Sequence, residues 1–278
     1  MREIYKHGAA VVGNLRPAGY HLGGCTWGKH MRLDLSGQVA LVTGSARRVG
    51  RAIALELGRN GVNMLVHYNG SSEDDVKGTV REIKSFGVDA FAVQADIGQP
   101  EGVESLFAAV REHFGQLHIL VNSASVFQKR TLMAVTLDDW RQTIDVNLTA
   151  PFLCTQAAVT LMRENDPPSG VIINISDRGA IDPWPEYAHH GISKAGLLAL
   201  TKVTAASLGP EIRANAIIPG LVLKPDHFSA ERWQAPAEAT PLKRPGTAED
   251  VARAVIYLAS EDFITGAVLH VDGGHSVI

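Results

Sequence analysis

Short apolar runs alternate with longer amphipathic stretches from Gln38 to the end of the chain. Continuous apolar runs are typical of strands buried on both faces of a sheet, and the longer stretches fit the period of a helix. This alternation predicts an α/β fold with a doubly wound parallel sheet in a single domain. The predicted strands are Val39–Thr43, Asn63–His67, Ala90–Gln94, Ile119–Asn122, Gly170–Ser176, Arg213–Ile218 and Ala267–Val271, and the first three helices are about Gly50–Arg59, Asp74–Phe86 and Pro100–Phe114.

Two stretches depart from this pattern. The regular part predicts a domain over residues 34–278, and we expect residues 1–33 to be a poorly ordered appendage. Basic residues outnumber acids there, so the segment is either an organelle transit peptide or sequence that precedes a true start at Met31. Residues 221–246 contain four prolines and are predicted to form a long loop over the substrate.

Composition and net charge indicate which classes of binding partner to expect. The chain has 278 residues, 45% of them hydrophobic, which is ample for one large core. A net charge of −3 gives no reason to expect nucleic acid or a membrane surface as partner. The two cysteines, Cys25 and Cys154, lack a metal-ligand spacing, and Cys154 is expected to be a small buried residue. We therefore expect a cytoplasmic protein that acts on a small molecule, without a metal ion.

A glycine-framed turn follows the first predicted strand, with the sequence Thr43-Gly44-Ser-Ala-Arg47-Arg48-Val49-Gly50. Glycine lets a backbone approach a pyrophosphate closely, and the N-terminus of the next helix offers free N–H groups. Such a turn at the start of a Rossmann-type βαβ unit predicts a dinucleotide site.

The second strand indicates which dinucleotide binds. An acid at this strand end selects NAD through the ribose hydroxyls, but no acid occurs between Glu56 and Glu73. Several groups could instead donate to a 2′-phosphate, and we predict NADP. These groups are Arg47, Arg48, His67 and Ser71. Asp96, after the third strand, is expected either to accept from the adenine amino group or to cap the next helix.

Six elements along the chain resemble the short-chain dehydrogenase/reductase family, over roughly residues 37–278. They are Thr43-Gly44…Gly50, Asn122-Ser-Ala-Ser125, Asn147, Lys194, Pro219-Gly220 and Asp272-Gly-Gly274. The resemblance implies cofactor contacts from Gly44, Gly50, Asn122, Lys194, Pro219 and Gly220. It also implies a homotetramer, and the apolar-rich stretch 263–278 could pack across a two-fold axis.

Within this family, the departures resemble pteridine reductases and the similar dihydromonapterin reductases. Arg48 replaces the middle glycine of the turn, and Asp177 replaces the usual catalytic serine. Ser125 and Phe127 lie after the fourth strand, where most members have a glycine. The resemblance implies that Arg48 reaches the cofactor phosphates and the pterin, and that Ser125 and Phe127 bind the pterin ring.

His190 stands where the family carries its catalytic tyrosine. It precedes Lys194 by about one helical turn, so both side chains share a face, and it keeps the family's interval from Asp177. Tyr187 lies a further turn back on the predicted face, and aligning it would need a three-residue deletion. The neighbouring His189 is expected to face solvent.

The reduction of a pterin C=N bond needs a hydride from the cofactor and a proton for the ring nitrogen. The resemblance implies that Lys194 holds the nicotinamide ribose and that Asn147 positions a water. An imidazole titrates near neutral pH, which suits His190 as the general acid. Two alternatives stay open: Asp177 alone is the acid, or His190 faces solvent in a reductase that has lost activity.

Three functions are therefore considered. The first is an NADPH-dependent reductase of a pterin-like heterocycle, which Phe127 and Asp177 favour. The second keeps the fold but reduces a simple carbonyl, such as a keto-sugar or a ketoacyl group. The third is a non-catalytic nucleotide-binding relative, against which the retained Asn147 and Lys194 speak.

Overall fold

A seven-stranded parallel sheet runs through the computed structural model, which describes residues 33–224 and 229–278. Its strands are β1 Val39–Val42, β2 Asn63–Tyr68, β3 Ala90–Gln94, β4 Ile119–Asn122, β5 Gly170–Ile175, β6 Ile212–Pro219 and β7 Val268–Val271. They lie in the order β3-β2-β1-β4-β5-β6-β7, and all neighbouring pairs are parallel. The predicted parallel sheet is confirmed.

Helices alternate with the strands and cover both faces of the sheet. In the described residues they are α1 Arg48–Arg59, α2 Glu73–Lys84, α3 Pro100–Phe114, α4 Leu137–Ile144, α5 Ala150–Arg163, α6 Ala188–Leu208, α7 Ala230–Glu238 and α8 Ala248–Ser260. A π-helical segment, Asp145–Thr149, joins α4 to α5. The bounds of β3, β4 and α3 are those predicted from the apolar runs.

Each central strand serves two cores, because successive residues of a strand point to opposite faces. In β1, Ala40 and Val42 pack with residues of α1, α2 and α8. Val39 and Leu41 pack on the other face with residues of α3 and α5. Full burial of such a side chain contributes about 1.5–3 kcal/mol. The two helical layers confirm that the sheet is doubly wound.

Local hydrogen bonds set several helix ends. Thr136 and Asp139 form a capping box at the start of α4, and Thr247 and Asp250 form another at the start of α8. Gly115 ends α3 with a φ of +69°, a conformation that favours glycine.

The side chain of Asn122 forms a hydrogen bond that links the neighbouring strands β4 and β5. Its Nδ2 donates to Oδ1 of Asn174 at 2.8 Å, and Nδ2 of Asn174 donates to Oγ1 of Thr201 at 2.8 Å. All three side chains are buried. The amide of Asn122 therefore links β4 and β5, which Asn174 joins to α6, and the contact of Asn122 with the cofactor stays a prediction.

The predicted loop over residues 221–246 contains a helix. Residues Ala230–Glu238 form α7, and Pro236 lies inside it. Proline in the interior of a helix is unfavourable, so the sequence pattern did not predict this helix. The N–H of Gly246 donates to the carbonyl oxygen of Leu221 at 3.0 Å, so the two ends of the segment are held together.

Two expectations concern regions outside the sheet. Apart from Leu33, the expectation for residues 1–33 lies outside the described residues. Within residues 33–224 and 229–278, no helix combines the length and apolar character that a membrane crossing needs.

Candidate active site

A cleft of about 1060 Å³ opens at the carboxyl ends of the strands. β1 and β4 are direct neighbours there, although two strands separate them in sequence. Ligands of open α/β sheets bind at such a switch point. The predicted site residues that line the cleft are Gly44, Arg47, Arg48, Gly50, His67, Ser71, Asp96, Ser125, Phe127, Asp177, His190, Lys194, Pro219 and Gly220.

The turn after β1 is shaped for an anion. Gly44 has a φ of +68° and Arg48 a φ of +57°, both in the left-handed region. A Cβ on Gly50 would lie 2.3 Å from the carbonyl oxygen of Gly44, so only glycine fits there. α1 has neither a side-chain N-cap nor an acid in its first turn. Its N-terminal N–H groups are therefore available to a phosphate.

His67 supports this turn from β2. Its Nδ1 accepts from the N–H of Gly44 at 3.0 Å, and its Nε2 lies 3.0 Å from the carbonyl oxygen of Ala95, to which it must donate. Burial lowers the pKa of His67, which favours the neutral ring that these two bonds require. Because both nitrogens are engaged, the structure corrects the prediction that His67 donates to a 2′-phosphate.

Arg47, Arg48 and Ser71 remain as candidates for a 2′-phosphate. Both arginines are exposed and line the cleft together with Ser71. Asp96 accepts from the N–H of Gly98 at 3.1 Å, while α3 has Gln99 at its N-cap. Asp96 therefore does not cap α3, and the adenine contact stays as its prediction.

Three ionisable groups converge on one wall of the cleft. Nζ of Lys194 donates to the carbonyl oxygen of Ile175 at 2.9 Å. Burial lowers the pKa of Lys194 to about 8, and nearby Asp177 opposes that change. Nε2 of His190 lies 3.8 Å from Oδ2 of Asp177. Oδ1 of Asp177 accepts from the N–H of Gly179 at 2.7 Å, which orients the carboxylate.

Both adjacent histidines of α6 lie inside the protein. His190 is 2% exposed and His189 is 0% exposed. The expectation that His189 faces solvent was therefore wrong, and so was the alternative that His190 does. His189 lies beside Leu137 and Trp140 at a second hollow of about 260 Å³. Residues of α4 cover it, which the sequence around His189 could not indicate.

Asn147 lies in the π-helical segment and is fully buried. Its Nδ2 donates to the carbonyl oxygen of Val126 at 3.0 Å and to Oγ of Ser193 at 3.1 Å. Its Oδ1 accepts from the N–H of Val126 at 2.8 Å and lies 3.2 Å from Oγ of Ser125. The amide of Asn147 therefore holds the loop after β4, and the expectation that Asn147 positions a water stays a prediction.

Phe127 stands at the mouth of the cleft among other rings. It stacks on Tyr187 with the centroids 4.3 Å apart, and it meets His190 edge to face at 4.6 Å. Its side chain is still 52% exposed, so part of the ring is available to a flat ligand. Tyr187 is the N-cap residue of α6. The structure thus corrects the prediction that Tyr187 extends the helical face of His190 and Lys194.

Several residues of the cleft were not predicted from the sequence, and three of them are large apolar side chains near the candidate catalytic groups. Val126, Trp184 and Trp233 all line it. Trp184 follows β5, and Trp233 lies on α7 after β6. Segments after the carboxyl ends of strands often carry binding residues, and that position was the only signal in the sequence.

Cys154 of α5 takes no part in the site. Its side chain is buried, and burial raises the pKa of its thiol to about 12. The prediction of a small buried residue is confirmed. In the described part of the chain, no cluster of three His, Cys, Asp or Glu side chains is arranged to hold a metal ion.

The chain is similar to reductases of known kind. A family model described as enoyl-(acyl carrier protein) reductase matches residues 44–276. The 3-oxoacyl-(acyl-carrier-protein) reductase FabG of Staphylococcus aureus is 38% identical over 240 residues, which cover 84% of this chain and 96% of that relative.

Two solved structures are similar over most of their length. FolM alternative dihydrofolate reductase 1 from Brucella canis, complexed with NADP, has a TM-score of 0.82 and 29% identity, and the match covers 88% of this chain and 96% of that chain. A blue fluorescent protein from a metagenomic library, in complex with NADPH, has a TM-score of 0.79 and 34% identity, with coverage of 87% and 99%.

The close approach at Gly50 can be tested by stability. Gly50→Ala should lower the free energy of unfolding by about 1–3 kcal/mol, because the new Cβ would overlap the carbonyl oxygen of Gly44. Gly78→Ala is the matched control, since a Cβ there meets nothing within 4 Å in α2. It should raise the free energy of unfolding by up to about 1 kcal/mol. Urea unfolding measures both, and equal values would contradict the close approach.

Proposed function

Because the chain belongs to the short-chain dehydrogenase/reductase family, we propose that it is an NADPH-dependent oxidoreductase that reduces the C=N bond of a pterin-like heterocycle. The half-exposed ring of Phe127 is the observation that carries this proposal, because it borders the same cleft as Asp177, His190 and Lys194. The similarity to the FolM alternative dihydrofolate reductase supports the same substrate class.

The residues around the β1 turn fit NADP. The uncapped N-terminus of α1 would hold the pyrophosphate. Arg47, Arg48 and Ser71 would hold the 2′-phosphate, for which arginine is the better fork. Asp96 would accept from the adenine amino group. Pro219 and Gly220 would border the nicotinamide end, because they line the cleft beyond Lys194.

When bound, NADPH supplies the hydride. Lys194 would hold the nicotinamide ribose with its buried ammonium group, which is protonated below a pH of about 8. Phe127 would stack on the substrate ring and orient it, with Ser125 and Arg48 as polar contacts. The aromatic rings of Trp184 and Trp233, which line the cleft, would exclude water from the ring.

His190 would donate the proton to the ring nitrogen. His190 lines the cleft, and its Nε2 lies 3.8 Å from Oδ2 of Asp177. Asp177 is the carboxylate that faces this nitrogen, and its own orientation is fixed by the N–H of Gly179. Proton transfer from a positioned side chain contributes typically about 10²–10⁴-fold to a rate.

A second candidate function is the reduction of a simple carbonyl. It is favoured by the 38% identity with a 3-oxoacyl-(acyl-carrier-protein) reductase. The same cofactor site and the same proton donor would serve a ketone. A non-catalytic relative is the third candidate, and a lack of turnover on every substrate would distinguish it.

The protein is proposed to be a homotetramer. Large apolar side chains are exposed in the C-terminal stretch, among them Phe263 at 97% and Val277 at 79%. Such side chains are costly to leave in water and are typical of an interface. Light scattering at micromolar concentration should give four times the chain mass, and a monomer would contradict the proposal.

Cofactor choice gives the next prediction. NADPH should bind at least about tenfold more tightly than NADH, or about 1.4 kcal/mol, because Arg47 and Arg48 can meet the 2′-phosphate. The double variant Arg47→Ala with Arg48→Ala should bring the two affinities together. Arg59→Ala, at the far end of α1, is the matched control and should keep the preference. Fluorescence titration measures the NADPH and NADH affinities of all three proteins, and equal wild-type affinities would contradict the prediction.

The substrate class is tested by NADPH oxidation against a dihydropterin, dihydrofolate and a panel of ketones, with turnover expected on the pterins. Phe127→Ala should weaken pterin binding by roughly 1–2 kcal/mol and leave NADPH affinity unchanged, because the stacking face is lost. Phe152→Ala, an exposed phenylalanine of α5 outside the cleft, is the control. Turnover on ketones alone would favour the second candidate function.

The proton donor is tested by substitution at the cleft wall. His190→Ala should lower kcat about a hundredfold or more. His190→Tyr should retain activity, because a phenol can also donate a proton. His113→Ala, remote from the cleft, should leave kcat unchanged. If Asp177 alone is the acid, His190→Ala stays active and Asp177→Asn abolishes turnover.

A further inference from the structure

We propose that Asn147 is a positioning residue that fixes the proton of neutral His190 on Nδ1, acting through the backbone of Val126. Nε2 is then the only ring nitrogen of His190 that gains and gives a proton. The catalytic consequence rests on the proposed function of His190, whereas the position of the proton follows from the hydrogen bonds themselves.

The orientation of the Asn147 amide is set by Val126. The backbone N–H of Val126 can only donate, and its partner at 2.8 Å is Oδ1 of Asn147. Nδ2 of Asn147 lies 3.0 Å from the carbonyl oxygen of Val126, which can only accept. The side chain thus holds both polar groups of one residue, and a flipped amide would place donor against donor and acceptor against acceptor.

Both hydrogens of Nδ2 are already engaged. One goes to the carbonyl oxygen of Val126, and the other goes to Oγ of Ser193 at 3.1 Å. The hydroxyl of Ser193 donates its own hydrogen to the carbonyl oxygen of His190 at 2.6 Å, so its oxygen accepts from Asn147. The 3.4 Å approach of Nδ2 to Nδ1 of His190 is therefore a contact without a hydrogen of its own.

Nδ1 of His190 has one partner that defines its state. It lies 3.1 Å from the carbonyl oxygen of Val126. A carbonyl oxygen carries no hydrogen, so Nδ1 must donate, and the neutral ring carries its proton there. The hydrogen bond at one ring nitrogen decides which nitrogen is left free. Asn147 holds this carbonyl in place, and its own amide leaves no hydrogen for Nδ1.

Nε2 of His190 is then the ionisable nitrogen. It is buried and has no hydrogen-bond partner among the described residues. Asp177, from the segment after β5, faces it at 3.8 Å. Lys194 from α6 is the other charged group of this wall. A buried polar atom without a partner is costly, so Nε2 is expected to find its partner in the substrate.

In the proposed step, the imidazolium of His190 gives up the proton that Nε2 carries. The N–H bond at Nε2 of the imidazolium breaks, its electron pair stays on Nε2, and the proton forms a new bond to the substrate atom. The ring is left neutral with its proton on Nδ1, which still donates to Val126. A proton from solvent water then restores the imidazolium at Nε2.

The test is the tautomer of neutral His190, read by long-range nitrogen–proton NMR of the full chain with ¹⁵N-labelled histidine. His190→Gln assigns the signals. In the wild type, Nδ1 should carry the proton. Asn147→Leu should move a measurable fraction of the proton to Nε2, because the carbonyl of Val126 is no longer held.

Asn215 provides the matched control. It also holds a backbone segment with its amide, because Nδ2 donates to the carbonyl oxygen of Ile264 at 2.9 Å and Oδ1 accepts from Ala267 at 3.0 Å. It lies outside the cleft. Asn215→Leu should lower stability and leave the tautomer of His190 unchanged. A role of Asn147 in stability alone predicts that both leucine variants leave it unchanged.

The outcomes separate this inference from the proposed function. A wild-type proton on Nε2 overturns it without any variant, even if His190→Ala abolishes turnover and the acid role stands. An unchanged tautomer in Asn147→Leu overturns it as well. A proton on Nδ1 with an active His190→Ala supports the positioning of the ring and refutes its role as the acid.

Discussion

Helices cover both faces of this parallel sheet, so a ligand cannot reach the faces. The carboxyl ends of the strands are the main place where polar groups of the protein can contact a ligand. This constraint organises the whole site. The turn after β1 presents N–H groups to an anion, the segment after β4 brings Val126 and Phe127, and the segment after β5 brings Asp177. Only α6 adds reactive groups from a helix, and it packs beside β5 and β6, where His190 reaches the same cleft.

Three polar side chains near the cleft have structural hydrogen bonds, as buried polar groups usually do. His67 supports the β1 turn, Asn122 links two strands, and Asn147 holds the loop after β4. In His67 and Asn147, both polar atoms of the side chain are already hydrogen-bonded within the protein. His67 holds the backbone of Gly44, and Asn147 holds the backbone of Val126, whose carbonyl oxygen contacts the ring of His190. The carbonyl oxygen of Val126 lies 3.1 Å from Nδ1 of His190, and our proposal for the proton of the imidazole rests on this contact.

The strands and the cleft could be predicted from the sequence, because continuous apolar runs and a glycine turn are local signals. The roles of His67 and Asn122 could not, since their partners Ala95 and Asn174 lie far away in the chain. The spacing of Tyr187 from Lys194 predicts that both lie on one helix. The residues just before α6 instead pair with Arg130, which is distant in sequence, and this pairing sets where the helix begins. α7 was missed because prolines obscure its pattern. Long-range pairing therefore explains the cases of His67, Asn122 and Tyr187, and the prolines explain that of α7.

A crystal structure of the protein with NADP and a dihydropterin would test the central claim most directly, namely that His190 gives its proton from Nε2 to a ring stacked on Phe127. The account predicts that Nε2 lies within hydrogen-bond reach of a ring nitrogen, about 2.6–3.2 Å, while Nδ1 stays on the carbonyl of Val126. A pterin that contacts Asp177 alone, with Nε2 of His190 out of reach, would contradict it.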